Sequence, residues 1–109
     1  MTVAEFASID GVEVLTMPDG EKEITGCYIG DLLSWVMGRA KSGDAWITIM
    51  SNINICAVAA LTDAACIILA QSVTLDDNVK ALAETKGINV LKTDLPAYEA
   101  ALLLAEKLR

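Results

Sequence analysis

The chain has no histidine. Histidine-ligated zinc, Ser-His-Asp triads and Cys-His dyads are therefore excluded. Positive charge is also scarce: eight Lys and Arg stand against fifteen Asp and Glu, for a net charge of −7. Binding to a nucleic-acid backbone needs a basic patch, so no nucleic-acid partner is expected. Long apolar runs are missing too. A bilayer span takes roughly 18 apolar residues, and the longest apolar region, from Ile53 to Ala70, is broken by Thr62 and Asp63. No membrane partner is expected. The opening MTVAEFASID lacks the basic start and apolar core of a secretory leader, which points to a cytoplasmic location. Cysteine is limited to Cys27, Cys56 and Cys66, with no C-x-x-C pair. An odd count without a leader fits reduced thiols.

No acidic pair has a spacing that demands metal or acid/base chemistry, and there is no G-x-x-x-x-G-K-[ST] phosphate loop. Cys27 has no basic neighbour to lower its pKa. Catalytic residues, a metal site and a cofactor are all left unassigned, and the chain is read as a non-enzyme.

What is abundant is apolar surface. Hydrophobic residues make up 54% of the 109 positions, and mean hydropathy is +0.48. That length suits one domain, residues 1–109, with a core that needs no disulfide or metal. Two causes fit the apolar excess: a sheet covered by helices on both faces, and burial between subunits. Both are expected, the second as a homodimer.

The stretch from Ala45 to Ser72 carries the strongest pattern. AWITIM, a polar corner, the helix-like NINICAVAAL, then ACIILAQS read as one β-α-β unit with both strands buried. Its polar corners, Ser51-Asn52 and Gln71-Ser72, fall at one edge of a sheet. Around it, Thr2 and Glu5 fit a capping box opening a helix over Val3–Ile9. Val12–Met17 and Ile24–Ile29 read as strands flanking the Pro18-Asp19-Gly20 turn, with Gly26 a weak point or a bulge. Asp31 is placed as the N-cap of a helix with Leu32, Leu33, Val36, Met37 and Ala40 on its apolar face. Ser51 or Asn52 is placed as the cap of a helix over Ile53–Leu61, apolar all round and so expected to be buried all round. Thr74 is placed as the cap of a third long helix that Gly87 stops. Ile88–Thr93 is a fifth strand. Pro96 opens the last helix, with Ala101, Leu102, Ala105 and Leu108 as its core stripe. Alternating strands and helices with short links predict a three-layer α/β/α fold, with a mostly parallel sheet of about five strands. The first half would add an antiparallel or edge strand.

Four segments together resemble the DRTGG domain, a small α/β domain similar to the N-terminal domain of HPr kinase/phosphorylase. They are GDLLSWVMGRAKSGDAWITI, NICAVAAL, ACIILAQS and VKALAETKGINVLKTDLPAYEAALLL, covering about Ile24 to Leu104. The resemblance implies a regulatory or ligand-sensing module, found elsewhere beside CBS domains. Short chains of this kind are similar to small proteins encoded beside iron-hydrogenase and redox genes in anaerobic bacteria. The family's Gly-Asp-Arg corner after the third strand is Met50-Ser51-Asn52 here, and its Thr-Gly-Gly corner after the fourth is Ala70-Gln71-Ser72. Ligand chemistry that depends on that arginine or on glycine-exposed backbone does not carry over.

Ligands of open α/β sheets bind outside the carboxyl ends of the strands. Ser51, Asn52 and Asn54 stand where a strand gives way to a helix, and free N–H groups there suit an anion. The plainer alternative is a simple N-cap. Gln71 and Ser72 follow the next strand and Asp94 the fifth. These six residues form the expected ligand site. The leading expectation is a non-enzymatic sensor of a small anionic ligand such as a nucleotide. The alternative is a protein-binding accessory subunit without a ligand, favoured by the apolar Ile53–Leu61 helix and by Trp35.

Overall fold

The structure, a computed structural model, describes residues 1–108. The elements run α1 (Val3–Ala7), β1 (Val12–Thr16), β2 (Gly26–Ile29), α2 (Leu33–Arg39), β3 (Asp44–Thr48), α3 (Asn54–Thr62), β4 (Cys66–Leu69), α4 (Asp77–Lys86), β5 (Val90–Thr93) and α5 (Ala97–Leu108). The sheet order is β1-β5-β4-β3-β2. β2 through β5 are parallel, and β1 lies antiparallel to β5 at one edge. The mostly parallel five-stranded sheet is thus as predicted, and the antiparallel edge strand does come from the first half.

Sheet alternation splits the core in two. Trp46, Ile67, Leu69 and Val90 face α2, α3 and α4 through Val36, Ile55, Val58, Val79 and Ala83. Ala45, Ile47, Cys66, Ile68 and Leu91 face α1 and α5 through Val3, Phe6, Ala100 and Leu104. β3 and β4 are buried along their whole lengths, the state of strands covered on both faces. Right-handed crossovers that step in one direction along the sheet put α2, α3 and α4 on a single face. After β5 the chain passes to the other face, where α5 packs.

Several local expectations need correction. The capping box at Thr2 and Glu5 is present, but α1 ends at Ala7. Gly26 sits in regular register with Asp44; the irregularity lies in β1, between Val14 and Thr16. Gly26 is there for room, since a Cβ would stand 2.6 Å from Asp44 Oδ1. The residue capping α2 is Leu32, without a side-chain bond. Asp31 is engaged elsewhere: its Oδ1 accepts from Thr48 Oγ1 at 2.8 Å and from the Ile49 N–H at 3.0 Å. Thr74 does not cap α4; Asp76 holds that position, also without a side-chain bond. Nor is α3 buried all round. Ile53 is 47% and Leu61 73% exposed, and Ala57 and Ala60 are exposed as well. Two neighbouring helices and a sheet cover only part of a helix surface. On α5 the stripe is Ala100 and Leu104, with Ala101 and Leu108 at its margin. Leu102 and Ala105 point outward, because the true phase of the helix lies one residue from the expected one.

Candidate functional site

The carboxyl ends of β3, β4 and β5 share one edge of the sheet, because these strands are parallel neighbours. Five of the six expected residues lie in the loops that leave this edge, and Asn54 is the first residue of α3. The loop after β4 departs toward α4 on one face, and the loop after β5 toward α5 on the other. Adjacent strands whose connections part in this way form a topological switch point, where open α/β sheets place ligands. Gln71, Ser72 and Asp94 stand at it.

The structure brings Ser72 and Asp94 into contact, the hydroxyl donating to Asp94 Oδ1 at 2.8 Å. The Gln71 and Ser72 N–H groups donate to the carbonyls of Leu95 and Thr93, at 2.9 and 3.0 Å. Both residues are left-handed, with φ of +57° and +65°. That region is costly for residues with a Cβ and free for glycine. The chain therefore keeps a backbone suited to two glycines while carrying Gln and Ser. A shallow depression of about 210 Å³ reaches Asp94 from the side of β1, lined also by Gly11, Val12, Glu13, Lys92 and Thr93.

One strand over, Asn52 Oδ1 accepts from the Asn54 N–H at 2.9 Å, in an Asx turn that leads into α3. The capping residue itself is Ile53, without a side-chain bond. Neither Ser51 nor Asn52 is therefore the cap, although Asn52 does part of that work from one residue upstream. Among the described residues, none accepts from the N–H groups of Ser51, Asn52 or Ile53. Asn52, Ile53 and Asn54 are exposed.

Sequence reasoning missed three structural residues, Asp31 and Trp46 at this edge and Asn89 at the opposite one, before β5. Asp31 ties the end of β2 to the end of β3, as described above. Trp46, fully buried, donates its Nε1–H to the Gly30 carbonyl at 2.8 Å and fixes the same corner from below. Asn89, 1% exposed, uses both ends of its carboxamide. Its Nδ2 donates to the carbonyls of Asp19 and Ala65, and its Oδ1 accepts from the Asp19 N–H. The first two involve long-range pairings that no local pattern shows. For Asn89 the signal was a polar residue inside an otherwise apolar strand.

The opposite edge carries two further open depressions, of about 340 and 390 Å³. Lys22, Ser42 and Asp63 line the first, with Asp63 accepting from Ser42 at 2.5 Å and Lys22 at 3.2 Å. Arg39, Lys41 and Asp44 line the second. The loops after β2 to β5 hold Asp31, Asp76 and Asp94 and no lysine or arginine. Among the described residues, no cluster of His, Cys, Asp and Glu is arranged to hold a metal ion. Among these residues, no helix is long and apolar enough to cross a membrane.

An open sheet with helices on both faces and polar loops gathered at its carboxyl edge defines a small α/β domain with a mostly parallel sheet. The sequence profile of the DRTGG domain matches residues 5–106, and the chain belongs to that family. Among solved structures it is similar to the CBS and DRTGG domains of the regulatory region of Clostridium perfringens pyrophosphatase, in complex with its activator, diadenosine tetraphosphate. The TM-score is 0.68 at 17% identity, over 94% of this chain and 48% of that one. The likeness is one of fold, and this chain spans about half the length of that region. No curated protein sequence matches the chain.

Proposed function

We propose that this domain is a regulatory, non-catalytic module that senses a small anionic ligand, with a nucleotide as the best fit, at the carboxyl edge of its sheet. The observation that carries the reading is the set of N–H groups at Ser51, Asn52 and Ile53, for which no described residue is an acceptor, at the start of α3 and one strand from the switch point. Such groups and the helix dipole favour a phosphate or carboxylate. With no cationic side chain in these loops, the amides take the anionic end. Gln71, Ser72 and Asp94 offer a carboxamide, a hydroxyl and a carboxylate for the polar remainder, and a carboxylate is a natural acceptor for ribose hydroxyls. The activator nucleotide held by the related regulatory region supports the same ligand class. A ligand bridging the Ser51 and Gln71 corners would bias the surface around them toward one conformation.

The test is a thermal-shift series with nucleotides and inorganic phosphate on the native chain and on Ile53→Pro. Ile53 has φ −63°, so proline fits the backbone there and removes one N–H. A nucleotide that raises Tm in the native chain and loses most of that effect in the variant is the expected result. A flat response across the panel would overturn the reading and favour the protein-binding accessory subunit.

A further inference from the structure

The two edges of the sheet are built differently. β1 is guarded: it carries the exposed Glu13 and an irregularity between Val14 and Thr16, two of the devices that stop edge strands from pairing. β2, at the other edge, reads Gly26-Cys27-Tyr28-Ile29, with no charge, no proline and no bulge. Among the described residues, no strand pairs with one row of its backbone N–H and C=O groups. Apolar side chains are exposed around it: Ile29 49%, Leu32 58%, Trp35 53% and Ile49 45%. A patch of this kind on a small domain marks an interaction surface.

We propose that the β2 edge is a homodimer interface, in which β2 pairs antiparallel with β2 of a second copy about a two-fold axis normal to the sheet. Charge selects this partner and this direction. Arg39 and Lys41 lie beside the beginning of β2, sharing a depression with Thr25–Tyr28. Asp31 lies just past its end. Antiparallel pairing sets the cationic end of each β2 against the Asp31 end of the other, and the two-fold repeats the match. Parallel pairing would set like ends together. The axis also places both α2 helices on the same face of the seam, where Trp35, on the flank of α2 that carries Arg39, meets its counterpart. Four-residue strands supply few hydrogen bonds, so these side chains carry most of the affinity. The proposal does not rest on the ligand reading, and each fails by its own measurement.

The experiment is sedimentation velocity on the full chain at about 50 µM, a concentration at which a micromolar dimer is mostly assembled. The expected result is a dimer. Ile29→Lys adds an edge charge, and Trp35→Glu adds a charge on α2. Both positions are half exposed, so each variant should keep its far-UV circular dichroism and sediment as a monomer. Arg39→Glu should weaken the dimer about tenfold at low salt and much less at high salt. A native chain that stays monomeric would overturn the proposal, as would a dimer indifferent to both Ile29→Lys and Trp35→Glu.

Discussion

The Ser72 hydroxyl donates to the Asp94 carboxylate at 2.8 Å, joining the loops that leave β4 and β5 toward opposite faces. The bond holds closed the spot where the topology would open a crevice. It also sits on a strained support, since Gln71 and Ser72 are both left-handed. Residues with a Cβ pay about 1–2 kcal/mol each in that region. Backbone strain of this kind clusters at functional sites.

Gln71→Gly relieves that strain without touching the Ser72–Asp94 bond, because no side-chain bond of Gln71 is lost. After the extra flexibility of glycine in the unfolded chain is set against the gain, the variant should be more stable by about 1 kcal/mol. For a domain of this size that is a rise in Tm of about 4 °C. Calorimetry of the two proteins checks it. A fall in stability would mean that the Gln71 side chain contributes more than the backbone strain costs.

Asn89→Ala should be among the most damaging single changes outside the apolar core. It leaves the Asp19 N–H and the Ala65 carbonyl without partners, though the Asp19 carbonyl keeps the Lys22 N–H at 3.3 Å, and three hydrogen bonds are lost. At about 1 kcal/mol for each, the loss is about 3 kcal/mol. Asn89→Asp should recover little, since its carboxylate can serve the Asp19 N–H but faces two carbonyls. Urea unfolding of the three proteins gives the comparison.

Asn89 also shows where the sequence stopped being legible. The β-α-β unit, the parallel sheet and the strand-end corners follow from apolar runs and turn residues, all of them local signals. Even the left-handed corner at Gln71-Ser72 could be located from the family resemblance, because glycines hold it elsewhere. Capping failed as a guide at Asp31 and Thr74, because a side chain near a helix start can spend its oxygen on a neighbouring strand. Asp31 does so at Thr48 and Ile49. The burial of α3 was overread because apolar composition does not say which neighbours a helix has. Nor could a linear pattern show which edge strand lacks a guard, since that depends on sheet order.

Asp63 should make acid stability sensitive to one exposed cluster. Its carboxyl is held below the usual range, first by the hydrogen bond from Ser42 and then by the bond and charge of Lys22. A carboxyl lowered in the folded state adds stability that is present above its unfolded pKa, near 4, and is lost as pH falls through the folded value. Asn tolerates the left-handed φ of +55° found here and cannot ionise. The native chain should therefore exceed Asp63→Asn by a small margin, under about 1 kcal/mol for so exposed a group. The margin should be constant from pH 8 to about pH 5 and should shrink below about pH 4. Chemical denaturation at stepped pH measures it, and a margin that grew toward acid would contradict the assignment.

Cys27 should be a slow thiol despite its exposed position. Desolvation, and then the nearby Asp44 carboxylate, push its pKa up from 9.0 to about 11. Only the thiolate attacks a disulfide reagent, so at pH 8 its reactive fraction is about a hundredfold below that of an ordinary thiol. Cys66 is fully buried and pushed up to about 12, and Cys56 is buried and raised as well. Labelling of the native chain with an aromatic disulfide at pH 8 should therefore show no fast phase. The rate should climb steadily with pH up to about pH 11, where Cys27 ionises, and three thiols should react at once in denaturant. Asp44→Asn should speed the native reaction by removing the second cause and leaving the first. A fast phase at neutral pH that vanished in Cys27→Ser would show instead that this thiol is activated.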